Sequence, residues 1–352
     1  MFEKFWLRFR KEIAIDLGTS KTMIYVRDRG IVINEPSVVA FNVRTDQVLA
    51  VGHDAKNMLG KTPSYITATS PLVRGVISDY ELAEKMLKYF IDKIDNKGII
   101  NIAPRSRMIF GVPLEVTEVE RKAVEDVAIS TGAREALLVQ QTMAAAIGLR
   151  LPIKDALGNM LINLGAGTTE IAVISLGGIV AWKSVVTAGD QLNMDIIEFA
   201  RHEYNILLGE NAAEKLKVHI GSAFDLNEEL ELKVRGRDLV TGLPKEVTFS
   251  DYQIRNALSR SLKIIVEDIK ATLEITPPEL VADIYDHGII LTGGGAQLRG
   301  IEHLISSALQ IPVRVADDPS TTVVRGLGLI LEEPDIATEV ILPSTHAERP
   351  LR

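Results

Sequence analysis

The sequence predicts an α/β protein made of two related halves, on three observations. Apolar runs that read as strands alternate along the chain with segments whose apolar residues recur at helical spacing. One short pattern is written twice, as Ile15-Asp16-Leu17-Gly18-Thr19-Ser20-Lys21-Thr22 and Ile162-Asn163-Leu164-Gly165-Ala166-Gly167-Thr168-Thr169. Each copy lies between an apolar run and an alternating one, the pattern of strand, tight glycine turn and strand. Finally, 352 residues exceed what one typical core holds.

In chain order, residues 13–33 alternate as strands joined by turns. Asn34-Glu35-Pro36-Ser37 interrupts them, and residues 38–41 and 48–51 form further short strands. Residues 81–94 carry Leu82, Met86, Leu87, Phe90, Ile91 and Ile94 on one helical face. A strand follows at 108–112. A helix then runs over 116–130, with Thr117 and Glu120 as a capping box. Residues 137–139 are a strand and 142–149 a helix of small residues, which ends the first half near Leu151-Pro152. The second half opens with strands at 160–164, 170–175 and 179–185. Helices follow from Asp190 and over 210–219, then a small sheet from 228–234 and 246–249. A long helix begins at Ser250, boxed by Gln253, with Ile254, Leu258, Leu262, Ile265, Ile269 and Leu273 as its stripe, and Pro277-Pro278 stops it. A strand at 288–291, a glycine turn and a helix over 297–309 come next. From Glu332 the chain is polar with prolines, and poor order is expected there. With no low-complexity linker, the halves are expected to share an interface.

Composition excludes several function classes. A net charge of −8 argues against nucleic acid as a partner. The absence of cysteine excludes disulfides and thiolate metal sites and fits a reducing compartment. The six histidines lack metal-ligand spacing. No apolar run is long enough to span a bilayer, and the first residues lack the apolar core of a signal peptide.

The N-terminal MFEKFWLRFRK has Phe2, Phe5, Trp6 and Phe9 on one helical face and Lys4, Arg8, Arg10 and Lys11 around it. A short basic helix with an aromatic face fits the membrane interface, where anionic lipid adds roughly 1 kcal/mol per basic residue. The bland alternative is a helix packed on its own domain, yet four aromatics in nine residues stand out in a chain that is 5% aromatic. One such helix binds weakly, and self-assembly would strengthen it. Ile99 and Ile100, in a loop ending at Pro104, either add a second membrane contact or begin a buried strand.

A small or glycine-rich hairpin turn aims several backbone N–H groups at one spot, a nest for phosphate oxygens. Asp16 at the strand end would stand beside that nest, where a carboxylate is sensible only with a bridging cation such as hydrated Mg2+. Lys21 would neutralise a terminal phosphate. One such turn is a weak signal. Two copies and a third cluster, Leu291-Thr292-Gly293-Gly294-Gly295, between a strand and a helix, make a nucleotide site the better reading.

These three motifs resemble the phosphate and adenosine motifs of the superfamily of actin, DnaK-type chaperones and sugar kinases. Within it, Asn34-Glu35-Pro36-Ser37-Val38, Gly52-His53-Asp54-Ala55-Lys56-Asn57-Met58, Met143-Ala144-Ala145-Ala146-Ile147-Gly148, Thr241-Gly242-Leu243-Pro244 and Thr276-Pro277-Pro278-Glu279-Leu280 are similar to the MreB family of bacterial actins. The resemblance runs from about residue 13 to 331. It implies an actin-like fold: duplicated domains with ribonuclease H-like cores and two smaller inserted subdomains around a nucleotide cleft. The implied organisation is a membrane helix over 1–11, domain I over 12–151 with an insert near 34–75, domain II over 152–331 with an insert near 187–250, and a tail over 332–352. It implies ATP or ADP with Mg2+ as ligands and membrane-bound protofilaments on the inner face of the cell membrane. The partners would be further copies of the chain, the anionic membrane surface, MreB paralogues and membrane proteins of wall synthesis. Asp16, Gly18, Thr19, Ser20 and Lys21 would hold one side of the phosphates and Gly165, Ala166, Gly167 and Thr168 the other. Gly293, Gly294 and Gly295 would lie against the adenosine, and Glu210, Glu214 and Lys215 would flank base and ribose. Asp16 would hold the metal through water.

The chain departs from the family at several acids. Asn163 stands where the family has an aspartate, Gln140-Gln141-Thr142 where it has Glu-Glu-Pro, and Ala166 where it has glycine. Gln191 and Asn193 fall in a segment that is richer in acid in the family. An amide cannot act as a general base at neutral pH and is a weaker partner for metal-bound water. Gln140 could still orient a water. Loss of one preorganised electrostatic group costs on the order of 10²–10³ in rate, which makes Asn163 the graver change. The expected function is a membrane-associated actin-like filament that organises cell shape and wall synthesis, with weak or absent hydrolysis at Gln140 and Asn163. The alternatives are a fully active ATPase, a regulatory paralogue that joins active filaments, and, last, a small-molecule kinase.

Overall fold

A computed structural model describes residues 12–95, 106–227 and 229–345. The aromatic N-terminal segment with Phe2, Phe5, Trp6 and Phe9, and the loop with Ile99 and Ile100, lie outside the described residues. The chain forms two compact units. One holds the described residues up to Ile153 together with those from Thr321 onward, and the other the described residues of Lys154–Ser320.

In the first unit, β1 (Glu12–Leu17), β2 (Lys21–Val26) and β3 (Gly30–Pro36) form an antiparallel meander. A small sheet of β4 (Val39–Asn42), β5 (Gln47–Val51) and β6 (Ile66–Thr69) follows, with α1 (His53–Met58) packed on it through Ala55. The hairpin β7 (Leu72–Val73) and β8 (Val76–Ile77) leads to α2 (Tyr80–Asp95). The stripe Leu82, Met86, Leu87, Phe90, Ile91 and Ile94 is buried as its spacing predicts. Next, β9 (Ser106–Val112) pairs parallel with β1, and β10 (Ala133–Gln140) pairs parallel with β9. The sheet order is therefore β10-β9-β1-β2-β3. Strand β1 lies at its centre and is buried from Ile13 to Leu17, which explains its near-continuous apolar run. Between β9 and β10, α3 (Glu118–Ser130) starts at the Thr117–Glu120 capping box. After β10 comes α4 (Gln141–Gly148).

The second unit repeats this plan. Strands β11 (Asn159–Leu164), β12 (Thr169–Ser175) and β13 (Gly178–Val185) form the meander. A small sheet of β14 (Ile206–Leu207), β15 (Glu231–Asp238) and β16 (Pro244–Ser250) interrupts the core, and β17 (Ile289–Thr292) and β18 (Val313–Val315) then complete it in parallel. Its order, β13-β12-β11-β17-β18, matches the first sheet strand for strand. The helices are α5 (Gly189–Tyr204), α6 (Glu210–Ile220), α7 (Asp251–Glu274), α8 (Pro278–His287) and α9 (Ile301–Leu309). Ser250 and Gln253 form the box at the start of α7. The helix expected over 297–309 is shorter. The glycine turn runs into a 3₁₀ turn over Gly294–Gln297, and Gly300, at φ 72°, starts α9 afresh.

From Thr321 the chain packs with the first unit, so the boundary at residue 331 needs correction. The reason is α10 (Thr322–Glu332), which lies against α4. A Cβ on Gly326 would sit 1.7 Å from the Ala144 carbonyl oxygen, and one on Gly148 would sit 2.2 Å from that of Thr322. The small residues of α4 are thus a contact surface for a helix about 180 positions later. The expectation of poor order from Glu332 is also corrected for the described residues. Here α11 (Pro334–Val340) forms, Ile341 bridges to Val139, and the Leu342 N–H donates to the Leu138 carbonyl at 2.8 Å. Buried Glu125 accepts from the Thr345 N–H and from the hydroxyls of Ser344 and Thr345.

Candidate functional site

Strand β1 carries Asp16 to its C-terminal end, one position before the turn, with Gly111 of β9 opposite it. Asp16 is 9% exposed, and Gln141 Nε2 donates to its Oδ1 at 3.1 Å. Burial pushes its carboxyl from 3.8 up to about 7, and the Gln141 hydrogen bond offsets part of the rise. In the turn, the Gly18 N–H donates to the Lys21 carbonyl at 3.1 Å. A Cβ on Gly18 would lie 2.8 Å from that oxygen, so glycine is required for the closure. The acceptors of the turn are already engaged. Ser37 Oγ donates to Gly18 O at 2.6 Å, Ser37 N–H to Ser20 O at 3.1 Å and Ser70 Oγ to Thr19 O at 3.3 Å, while Gly75 N–H donates to Thr19 Oγ1 at 2.8 Å. The N–H groups of Thr19 and Ser20 have no acceptor among the described residues. A nest of this kind suits an anion. Lys21 begins β2 exposed to solvent.

The second unit repeats the turn atom for atom where it matters. The Gly165 N–H donates to the Thr168 carbonyl at 2.9 Å, and a Cβ on Gly165 would lie 2.8 Å from that oxygen. Here the N-terminus of α5 ties off the carbonyls: Gly189 N–H donates to Gly165 O at 3.1 Å and Asp190 N–H to Ala166 O at 2.8 Å. The N–H groups of Ala166, Gly167 and Thr168 have no acceptor among the described residues. Asn163 is 7% exposed and pairs across the ladder with fully buried Glu170.

The third glycine cluster lies against this turn. Gly293, at φ 83°, would with a Cβ clash with the Leu164 carbonyl at 2.4 Å and with Asn163 Oδ1 at 2.6 Å, and Gly295 would meet Leu164 Cβ at 2.9 Å. Thr292 Oγ1 and the Gly293 N–H both donate to the Pro319 carbonyl, fixing the cluster. Gly294 is exposed and a Cβ there would meet nothing within 4 Å. One face of the cluster is packed and the other is open.

Within the second unit, then, Asn163, the turn 165–168 and Gly293–Gly295 come together. Helix α6 joins them through Lys217, whose Nζ donates to the Gly189 carbonyl at 2.7 Å. Exposed Glu210 and half-buried Glu214 precede Lys217 by seven and three positions and so share its helical face. Lys215 is exposed, two positions from Lys217 and on another face. In the first unit, Gln140 is half-buried at the tip of β10, while Gln141 turns inward to Asp16. Of the two, Gln141 is therefore the residue in contact with the acid. Sequence reasoning singled it out only as an altered acid. It missed Lys217 altogether, because a lysine on a charged helix carries no distinguishing signal. The inward turn of Gln141 is traceable to Gly111, which leaves room for its side chain.

No group of three or more His, Cys, Asp or Glu able to hold a metal occurs among the described residues. A buried carboxylate with an amide for a partner does fit a hydrated Mg2+, which usually takes one or two carboxylates and completes its shell with water and phosphate. No helix of the described residues is long and apolar enough to cross a membrane.

The model of the family described as MreB/Mbl protein matches residues 10–339. The chain belongs to the MreB/Mbl family. It is 46% identical over 342 residues to the cell shape-determining protein MreB of Escherichia coli, covering 96% of this chain and 97% of that protein. It is 43% identical over 327 residues to the cell shape-determining protein Mbl of Bacillus subtilis, covering 93% and 97%. The crystal structure of MreB 5 of Spiroplasma citri bound to AMPPNP has a TM-score of 0.90 at 37% identity, covering 94% of this chain and 98% of that one. A MamK double helical filament, at 22% identity and a TM-score of 0.77, covers 92% and 99% and shares the fold. The fold of this MreB/Mbl chain is therefore actin-like, as its motifs imply.

Proposed function

We propose that this MreB/Mbl chain is a nucleotide-binding cytoskeletal protein that assembles into membrane-associated filaments, organises cell shape and wall synthesis, and hydrolyses ATP weakly or not at all. Nucleotide binding is supported by the two matching turns, in each of which the leading glycine closes the turn and the N–H groups that follow it have no acceptor among the described residues. It is also supported by the ADP and AMPPNP complexes of the Spiroplasma citri relative. In this reading Gly18 and Gly165 close the two turns, the N–H groups of Thr19 and Ser20 and those of Ala166, Gly167 and Thr168 bind phosphate, and Lys21 adds charge. Gly293, Gly294 and Gly295 take the adenosine, and Glu210, Glu214 and Lys215 flank base and ribose. Asp16 holds Mg2+ through water, and the ion supplies neutralisation of phosphate charge.

Weak hydrolysis is carried by one observation. Asn163 occupies the end of β11 where β1 has Asp16, and the group facing Asp16 is the amide of Gln141. An amide at either place takes no proton from an attacking water at neutral pH. Membrane attachment is supported by the aromatic, basic segment containing Phe2, Phe5, Trp6 and Phe9, with Ile99 and Ile100 as a second contact. In this reading the filament lies on the inner face of the cell membrane, with itself, anionic lipid, MreB paralogues and wall-synthesis membrane proteins as partners.

The test is co-sedimentation with anionic liposomes and electron microscopy in the presence of ATP. Filaments on vesicles, lost on deletion of residues 2–9, are the expected result. Diffuse monomers that do not bind vesicles would overturn the reading.

A further inference from the structure

We propose that Gln141 is a positioning residue for Asp16. It holds the carboxylate beside the first glycine turn and keeps that niche at a single negative charge, so that nucleotide binding by this chain depends only weakly on Mg2+. The proposal rests on the nucleotide-binding reading above.

The niche is built within the first unit. Gln141 is the first residue of α4 and is 7% exposed. Its stem crosses Gly111, where a Cβ would lie 3.2 Å from Gln141 Cγ. The same point is 3.3 Å from Leu327 Cδ1 and 3.4 Å from Val323 Cγ1 of α10, so the space over Gly111 is filled and no side chain fits there beside the stem. That packing fixes the rotamer and aims Nε2 at Asp16 Oδ1, 3.1 Å away. An ionised carboxylate only accepts hydrogen bonds, so the amide group facing it is the donor. Gly111 lies opposite Asp16 in the parallel ladder, so acid, glycine and amide form one unit across three elements.

The consequence concerns charge. A buried carboxylate is stabilised by a neutral donor without any cation. An acid at position 141 would place a second carboxylate at hydrogen-bond distance, and the pair would need a cation or a shared proton before a polyphosphate approached. With Gln141 the niche presents one charge, already hydrogen-bonded.

The test is titration of a fluorescent ATP analogue into the full-length protein, with Mg2+ varied from excess to chelated by EDTA. For the natural protein, removal of Mg2+ is expected to weaken binding about tenfold or less, and for Gln141→Glu about a hundredfold or more. Gln141→Leu keeps the stem over Gly111 and removes the donor. It should lose about tenfold in affinity and need more Mg2+ for half-maximal binding. Gly111→Ala, which displaces the stem without altering charge, should behave like Gln141→Leu. Equal Mg2+ dependence of the natural protein and Gln141→Glu would overturn the proposal, and that near-isosteric variant decides the question if Gln141→Leu does not fold. A natural protein that binds no ATP analogue in any condition would overturn the nucleotide reading itself. Binding with unchanged variants would overturn only the role of Gln141.

Discussion

Asp16→Asn should stabilise the ligand-free protein while weakening its hold on Mg2+. The buried carboxyl has its pKa raised from 3.8 to about 7, chiefly by loss of solvent. A raised folded-state pKa means that the folded protein holds the proton more tightly than the unfolded chain. Below pH 3.8 both states are protonated and the group is neutral in its effect. Between about pH 4 and 7 stability falls as pH rises, and above 7 the full penalty stands. At 1.36 kcal/mol per pKa unit the penalty above pH 7 is about 4 kcal/mol at most. At pH 4 it is under about 1 kcal/mol. Asparagine keeps the shape and carries no charge, and its amide oxygen can still accept from Gln141. Thermal melting of the ligand-free variant and the natural protein at pH 4 and pH 8 reads the difference. A gain of about 2–4 °C per kcal/mol is expected at pH 8 and almost none at pH 4. Equal shifts at both pH values, or a loss of stability at pH 8, would refute the reading of Asp16 as a carboxylate destabilised by burial.

Three further substitutions probe the fold around the site. Gly165→Ala places a Cβ 2.8 Å from the Thr168 carbonyl, which distorts the second nest, and nucleotide affinity measured by calorimetry should fall at least about tenfold. Gly326→Ala drives a Cβ to 1.7 Å from the Ala144 carbonyl, so α10 must move off α4, and unfolding in urea should show a loss of about 3 kcal/mol. Glu125→Gln leaves one acceptor oxygen where two serve Ser344 and Thr345, and limited proteolysis should cut the segment after residue 340 faster.

Much of the fold was legible because local signals and tertiary environment agreed. The apolar stripes of α2 and α7, the boxes at Thr117 and Ser250, and the duplicated turns all depend on neighbours within a few residues. What was illegible depends on distant ones. Residues 321–345 read as the end of the second half and a loose tail. They belong to the first unit because Gly326 fits Ala144 and because Leu342 and Thr345 find acceptors on β10 and α3. The candidate site divides in the same way. Gly18 and Gly165 were readable because each closes its own turn, and Asp16 because it precedes one. Gln141 and Lys217 act on residues 125 and 28 positions away, and nothing in their own segments announces it. Of the two neighbouring amides, Gln141 is the one that contacts Asp16.

The central claim is that the chain binds its nucleotide and cleaves it slowly, because amides stand where acids would serve. Single-turnover cleavage of ATP by purified, assembled protein tests this most directly, comparing the natural protein with Asn163→Asp. The expected result is bound nucleotide that stays largely ATP in the natural protein, with a gain on the order of 10²–10³ in rate for the variant. Rapid cleavage by the natural protein, unchanged by Asn163→Asp, would contradict it.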